Sequence, residues 1–142
     1  MNGKITVIIL LLLSAISCST EEKKEACATL APINPNGDSE LALLMRDMFD
    51  DAMRIKSQVK SGKKPTFQVQ FENIHSAEST DPNDAKSDKF KVFANSFSLA
   101  IGALKDASED DLEQKYHAFV QSCMNCHQAM CPGPMTRIKK LF

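Results

Sequence analysis

Two cysteines and a histidine late in the chain form the pattern that most constrains its fold. The motif reads Cys123-Met124-Asn125-Cys126-His127, and this C-x-x-C-H spacing is the attachment signature of a c-type haem. The two thiols add to the haem vinyl groups as thioethers, and the histidine that follows binds the iron. Cysteines three residues apart lie on one face of a helix, so both thiols point the same way. The cofactor then carries the chemistry, and the protein positions and tunes it.

Two other kinds of site use a C-x-x-C pair. A dithiol redox pair usually opens a helix after a strand in a βαβ unit, and no such pattern precedes Cys123. A zinc site needs four ligands at close spacing; Cys131 offers a third, but no second ligand pair stands nearby. We therefore predict a haem c bound through Cys123 and Cys126, with His127 as an iron ligand.

Residues 1–17 have the composition of a secretory signal peptide. A basic start containing Lys4 leads into an apolar run from Ile5 to Leu13, which is too short to span a bilayer as a mature helix. Haem is attached to such motifs outside the cytoplasm. The signal and the haem motif therefore predict the same compartment, the periplasm or cell envelope.

Small residues before Cys18 resemble the lipobox of bacterial lipoproteins, in which the cysteine becomes the lipidated first residue. The polar stretch 19–25 that follows is suited to a tether. We expect residues 18–37 to connect a membrane lipid anchor on Cys18 to the folded domain. The alternative is ordinary signal cleavage in the range 17–20, without a lipid.

The rest of the chain, residues 38–142, is expected to form one all-α domain. Strand-like alternation is confined to about 66–71, and tryptophan is absent. The formal net charge of −1 becomes −2 once Lys4 leaves with the signal, so composition gives no indication of a nucleic-acid partner.

Apolar spacing predicts four amphipathic helices, over about 39–61, 66–77, 88–106 and 108–130. The first has the clearest seam, with apolar residues at alternating spacings of four and three: Leu41, Met45, Met48, Ala52, Ile55 and Val59. Gly62 and Pro65 provide its stop. Short links between such helices favour an antiparallel up-down-up-down four-helix bundle. The haem would lie near the C-terminal end of helix four, and Met45 falls at a depth similar to that of His127.

The haem motif at the end of the last helix resembles the class II c-type cytochromes, the cytochrome c-prime family. The stretch 44–47, followed by Met53, Lys60, Gly62 and Pro65, is similar to helix one of the low-spin members. In those members a methionine on helix one binds the iron opposite the histidine, and this resemblance implies Met45 as the sixth ligand. The resemblance covers about residues 39–130. It is also compatible with a homodimer formed through the first two predicted helices.

Other side chains remain candidates for the sixth position. Met48 lies on the same seam, and His75 ends the predicted second helix at the haem end. His117 is expected at the surface. The family usually places an arginine shortly after the haem histidine, whereas here Arg137 follows it by ten residues, beyond the stretch 131–134. Arg137, Lys139 and Lys140 are therefore only uncertain partners for the haem propionates.

Two cysteines are left after haem and lipid are assigned. Cys27 and Cys131 belong at the same end of the predicted bundle, and nearby thiols in an oxidising compartment tend to pair. We expect a disulfide between them; the alternative is two free thiols that never meet.

Two functions fit these features. With both axial positions filled, the chain would carry single electrons to redox partner proteins of the cell envelope. With an empty sixth position, it would bind small gases such as nitric oxide or carbon monoxide as a sensor or scavenger. We do not expect an enzyme, because no distal acid–base group is placed over the iron. Met45 at matching depth favours electron transfer.

Lipidation makes a direct prediction. Replacing Cys18 by alanine should release the protein from membranes into the soluble envelope fraction, because the acyl chains have no other attachment residue there. Fractionation followed by immunoblotting measures this. A wild-type protein that is already soluble and has a free amino terminus would contradict the lipobox interpretation.

Overall fold

The structure is a computed structural model that describes residues 37–142. The predicted signal peptide 1–17, the lipidation site Cys18 and the predicted disulfide partner Cys27 lie outside this range. The described part is all-α, as expected, and contains no strand. None of its helices is both long and apolar enough to cross a membrane.

Three long helices form the frame. They are α1 (Glu40–Lys60), α3 (Asp88–Lys105) and α4 (Leu112–Met130), close to the predicted bounds. Two short helices, α2 (Pro82–Lys86) and α5 (Met135–Ile138), and two 3-10 turns (Phe71–His75 and Lys139–Leu141) complete the elements.

Local signals explain where α1 begins and ends. The side chain of Ser39 accepts a hydrogen bond from the Ala42 amide at 3.2 Å, which satisfies one free donor of the first turn. At the other end Gly62 has a φ of 68°, which suits glycine. Its amide donates to Val59 at 2.9 Å and that of Lys63 to Gln58 at 2.9 Å, the pattern of a Schellman motif.

The second predicted helix, 66–77, is the main difference from expectation. Residues 63–70 are irregular, and only Phe71–His75 forms a short 3-10 helix. The backbone amides of Gln68 and Val69 donate to Oδ2 of Asp51 at 2.9 and 3.2 Å, so they are not available to a helix. The apolar pattern of this stretch is still used, because Phe71 and Ile74 are buried.

Asp51 anchors this segment to α1. Its carboxylate is 4% exposed and also accepts from Nε of Arg54 at 3.0 Å. Arg54 in turn donates to Oγ1 of Thr66 at 2.7 Å and to the Thr66 carbonyl at 2.6 Å. A buried carboxylate is tolerated when it is paired and fully hydrogen-bonded, and Asp51 meets both conditions.

The long helices pack around an aromatic core. Phe71, Phe97 and Phe119 have ring centroids 5.7 to 6.0 Å apart and come from the first 3-10 turn, α3 and α4. Nζ of Lys89 donates to the Ala129 carbonyl at 2.7 Å, so the start of α3 lies beside the end of α4. The core thus fixes how these three parts of the chain face one another.

The role of Asp51 in holding the segment 63–70 against α1 can be tested by substitution. Replacing it by alanine should lower the free energy of unfolding by about 3 kcal/mol, because Arg54 and two backbone amides lose their common acceptor. Urea unfolding followed by circular dichroism measures the change. Asp47→Ala, on an exposed position of the same helix, is the control and should shift it by less than about 0.5 kcal/mol. Equal losses in both variants would contradict the anchoring role.

Candidate cofactor site

The last turns of α4 present the cysteine–histidine motif to the interior. Cys126 and His127 are each 8% exposed, and Cys123 is partly buried. The helix ends at Cys131, whose amide donates to the His127 carbonyl at 3.1 Å. Pro132 follows and cannot continue the helix. The motif therefore lies at the very end of α4, where a cofactor can be contacted from one side.

A small cavity of about 60 Å³ brings the motif together with helix α1. Met45 lines it together with Cys123, Cys126 and His127, so all four residues predicted to hold the cofactor share one space. The other lining side chains are mainly apolar: Met48, Phe49, Ala52, Ile74, Phe93, Phe97, Phe119, Ser122, Ile138 and Leu141.

A second and larger groove, of about 680 Å³, opens beside this cavity. Met45, Cys126 and His127 line both spaces, as do Phe49 and Ile138. The groove volume falls within the range of about 300–1,000 Å³ typical of ligand and cofactor pockets. The motif thus faces both a small, mainly apolar cavity and an opening large enough for a cofactor.

The ring of His127 lies in surroundings that favour one tautomer. Its Nδ1 lies 3.2 Å from the Cys131 carbonyl oxygen, which only accepts, and this contact favours the tautomer protonated at Nδ1. The Cys131 Sγ lies 3.3 Å from the same nitrogen. Burial lowers the pKa of His127, which favours the neutral ring. A neutral imidazole protonated at Nδ1 keeps the Nε2 lone pair for a metal.

Burial also determines the state of the motif thiols. Desolvation raises the pKa of Cys123 to about 12 and that of Cys126 to about 11. Reactive dithiol pairs rely on a thiolate of lowered pKa. The environment therefore speaks against a dithiol redox pair, the first alternative to a haem site.

The other candidate ligands separate clearly. Met48 is buried and lines the small cavity. His75 is exposed; its Nε2 lies 2.8 Å from Oγ of Ser98, and it lines neither space. His117 is exposed, with its ring centroid 5.0 Å from that of Phe142, as expected for a surface residue. Met45 and Met48 therefore line the small cavity together with His127, and Met130 lines the larger groove together with it.

Two arginines lie on the wall of the larger groove. Arg137 also contacts α1, with its guanidinium 4.2 Å from the Phe49 ring centroid and Nη2 3.1 Å from Oδ1 of Asp50. Arg46 is paired with Asp38. Lys139 and Lys140 are exposed and line neither space. Of the uncertain partners for a carboxylate group, Arg137 is the one beside the motif.

Four lining residues were not singled out from the sequence: Phe49, Ser122, Ile138 and Leu141. Phe49 follows Met45 by four residues, a helical spacing that was available as a signal. Ile138 and Leu141 lie in a basic stretch too short to show periodicity, so only their apolar character distinguished them. Their place in the cavity comes from tertiary packing alone.

Within residues 37–142, no group of three or more His, Cys, Asp or Glu side chains is arranged to hold a metal ion. A haem iron needs at most two axial ligands from the protein, and His127 and Met45 are of the types that serve. No protein family, curated protein or solved structure matches this chain.

The residues present fit a covalently bound haem. Two thiols, a neutral imidazole and the Met45 thioether line one small, mainly apolar cavity. The larger groove, which Met45, Cys126, His127 and Arg137 also line, has the volume that a cofactor needs. The Cys27–Cys131 pairing stays a prediction, because Cys27 lies outside the described residues.

Attachment is tested on the thiols. Cys123→Ser with Cys126→Ser should leave no covalent haem, because hydroxyls do not form the thioethers. Haem staining of a denaturing gel measures this. Cys131→Ser is the matched control and should keep the stain, since this thiol lines only the larger groove. Stain that survives on the double variant would refute the assignment.

Proposed function

We propose that this chain is a c-type cytochrome of the cell envelope that binds one haem and carries single electrons. The observation that supports this most directly is the cavity shared by Cys123, Cys126, His127 and Met45. The four come from opposite parts of the chain, yet each is of the type that its predicted role requires.

Each residue has a distinct part in this function. Cys123 and Cys126 would hold the cofactor covalently, while His127 and Met45 would bind its iron. Bound haem supplies an iron that changes between the ferric and ferrous states. The neutral thioether of Met45 favours the ferrous state and so raises the potential. Both axial residues lie within long packed helices, which limits rearrangement during electron transfer.

The surroundings of the site agree with such a carrier. Its interior wall is dominated by aliphatic and aromatic side chains. Low polarity around an iron site raises its potential and keeps water away. His127 is oriented by a backbone carbonyl, a contact that does not depend on any mobile side chain.

The proposal includes the class II c-type cytochrome family, in a variant form. The three long helices would correspond to helices one, three and four of the bundle, and the segment 61–77 would take the place of helix two. A lipid on Cys18 would hold the domain at a membrane, where redox proteins of the envelope are its partners. A homodimer through the first two helices is compatible with this arrangement.

The sixth ligand decides between the two functions. Met45→Ala should convert a low-spin spectrum to a high-spin one, lower the potential and let carbon monoxide bind readily, because it removes the axial thioether. Absorption spectra in both oxidation states and a redox titration measure these changes.

Two variants serve as controls. Met48→Ala removes a methionine from the same cavity, and His75→Ala removes the other histidine considered; both should keep the low-spin spectrum. An unchanged spectrum in Met45→Ala would show that Met45 is not the ligand. High-spin iron in the wild type would instead support binding of small gases by a five-coordinate haem.

A further inference from the structure

The segment after α4 forms one wall of the cavity. We call residues 135–142 the strap; it consists of α5, the following 3-10 turn and Phe142. A proline turn reverses the chain before it, with the Met135 amide donating to the Pro132 carbonyl at 3.1 Å. The two buried side chains of the strap are Ile138, 6% exposed, and Leu141, 2% exposed. Both line the small cavity.

Hydrogen bonds to its backbone fasten the strap. The buried hydroxyl of Tyr116, on α4, donates its one hydrogen to the Leu141 carbonyl at 2.9 Å, and the Ala52 carbonyl of α1 lies 3.4 Å from the same hydroxyl oxygen. Burial raises the pKa of Tyr116, so its hydroxyl stays protonated and remains a donor. One side chain therefore joins α1, α4 and the strap.

Charged side chains add two exposed contacts. Nζ of Lys56 donates to the Lys140 carbonyl at 2.7 Å and also to the Phe142 carbonyl. Arg137 reaches Asp50 and the Phe49 ring on α1, as described above. Because α1 supplies a contact near each end of the strap, the strap is held across the space between α1 and α4.

The position of these contacts indicates what the strap does. Ile138 and Leu141 form one wall of the small cavity, and the other walls come from α1, α3, α4 and the 3-10 turn that contains Ile74. The strap wall belongs to short elements fastened by a few hydrogen bonds and charged contacts, whereas the other walls belong mainly to long helices. Short elements with few buried contacts open at lower free energy than long packed helices. The larger groove also reaches Met45 and His127, but a bound cofactor would fill it. The strap would then be the wall through which a small molecule enters the small cavity most easily.

We propose that the strap is the barrier that keeps small diatomic ligands, such as carbon monoxide and nitric oxide, away from the cavity beside Met45 and His127. Ile138 and Leu141 close the path, and the Tyr116 hydroxyl keeps the strap shut. This inference rests on the proposed haem function, and it makes the chain selective for electron transfer over gas binding.

The test measures ligand entry in the haem-loaded protein. Met45→Ala serves as the parent, because its sixth position is open and carbon monoxide entry is then not limited by loss of the thioether. The rate constant for carbon monoxide rebinding after flash photolysis is compared with and without strap changes. Ile138→Ala with Leu141→Ala should raise it roughly tenfold, and Tyr116→Phe about threefold, since the latter loosens the strap without altering the cavity wall. Leu99→Ala, 76% exposed on α3, is the matched control and should change nothing.

Amide hydrogen exchange of residues 135–142 provides a readout independent of the iron. Faster exchange together with faster rebinding in Tyr116→Phe supports the proposal. Faster exchange with an unchanged rebinding rate would overturn it, because an opened strap would then be no barrier. Unchanged exchange and unchanged rebinding would overturn the role of the Tyr116 hydroxyl as the latch. A parent protein without covalent haem on a stained gel would instead overturn the proposed function, so the two failures are distinguishable.

Discussion

The buried carboxylate of Asp51, in the middle of α1, holds the segment 63–70 against this helix. The apolar periodicity of the sequence gives no indication of this contact. Asp51 accepts hydrogen bonds from Arg54 and from the amides of Gln68 and Val69. Its burial is tolerable only with these partners in place, so the irregular segment must lie against α1 at this point. That placement puts Phe71 in the aromatic core and Ile74 in the cavity wall. The interior of the candidate site therefore depends on the polar contact between the Asp51 carboxylate and the amides of Gln68 and Val69.

The end of α4 has a comparable influence on the other side of the site. Its terminal residue, Cys131, uses its carbonyl to favour one tautomer of His127. Pro132 follows at once and turns the chain back toward α1, so that the strap can close the cavity with Ile138 and Leu141. One helix end thus sets both the orientation of the proposed iron ligand and the direction of the wall opposite it. Substitutions at Cys131 or Pro132 would therefore affect both the orientation of His127 and the position of the strap that lines the cavity.

Much of the fold was predictable because its signals are local. The seam of α1 contains Met48, Ala52, Ile55 and Val59, and all four are buried. Gly62 marks its end as expected, and the Ser39 side chain caps its start. The segment 66–77 was harder, since its apolar spacing fits a helix and only the distant Asp51 shows why its amides are used otherwise. The strap gave no periodic signal, and its backbone is held by Tyr116, which precedes Leu141 by 25 residues.

The sequence alone determined the chemical types at the candidate site and their local spacing: two thiols three residues apart, a histidine directly after them and a methionine on the inward seam of α1. These follow from residue identity and helical geometry, which act over a few residues. Tertiary structure placed His127, and neither His75 nor His117, in one space with Met45 and Met48, and it decided which His127 nitrogen lies beside the Cys131 carbonyl and which residues of the strap line the cavity. Those outcomes depend on contacts between residues far apart in the chain, and local spacing carries no information about them.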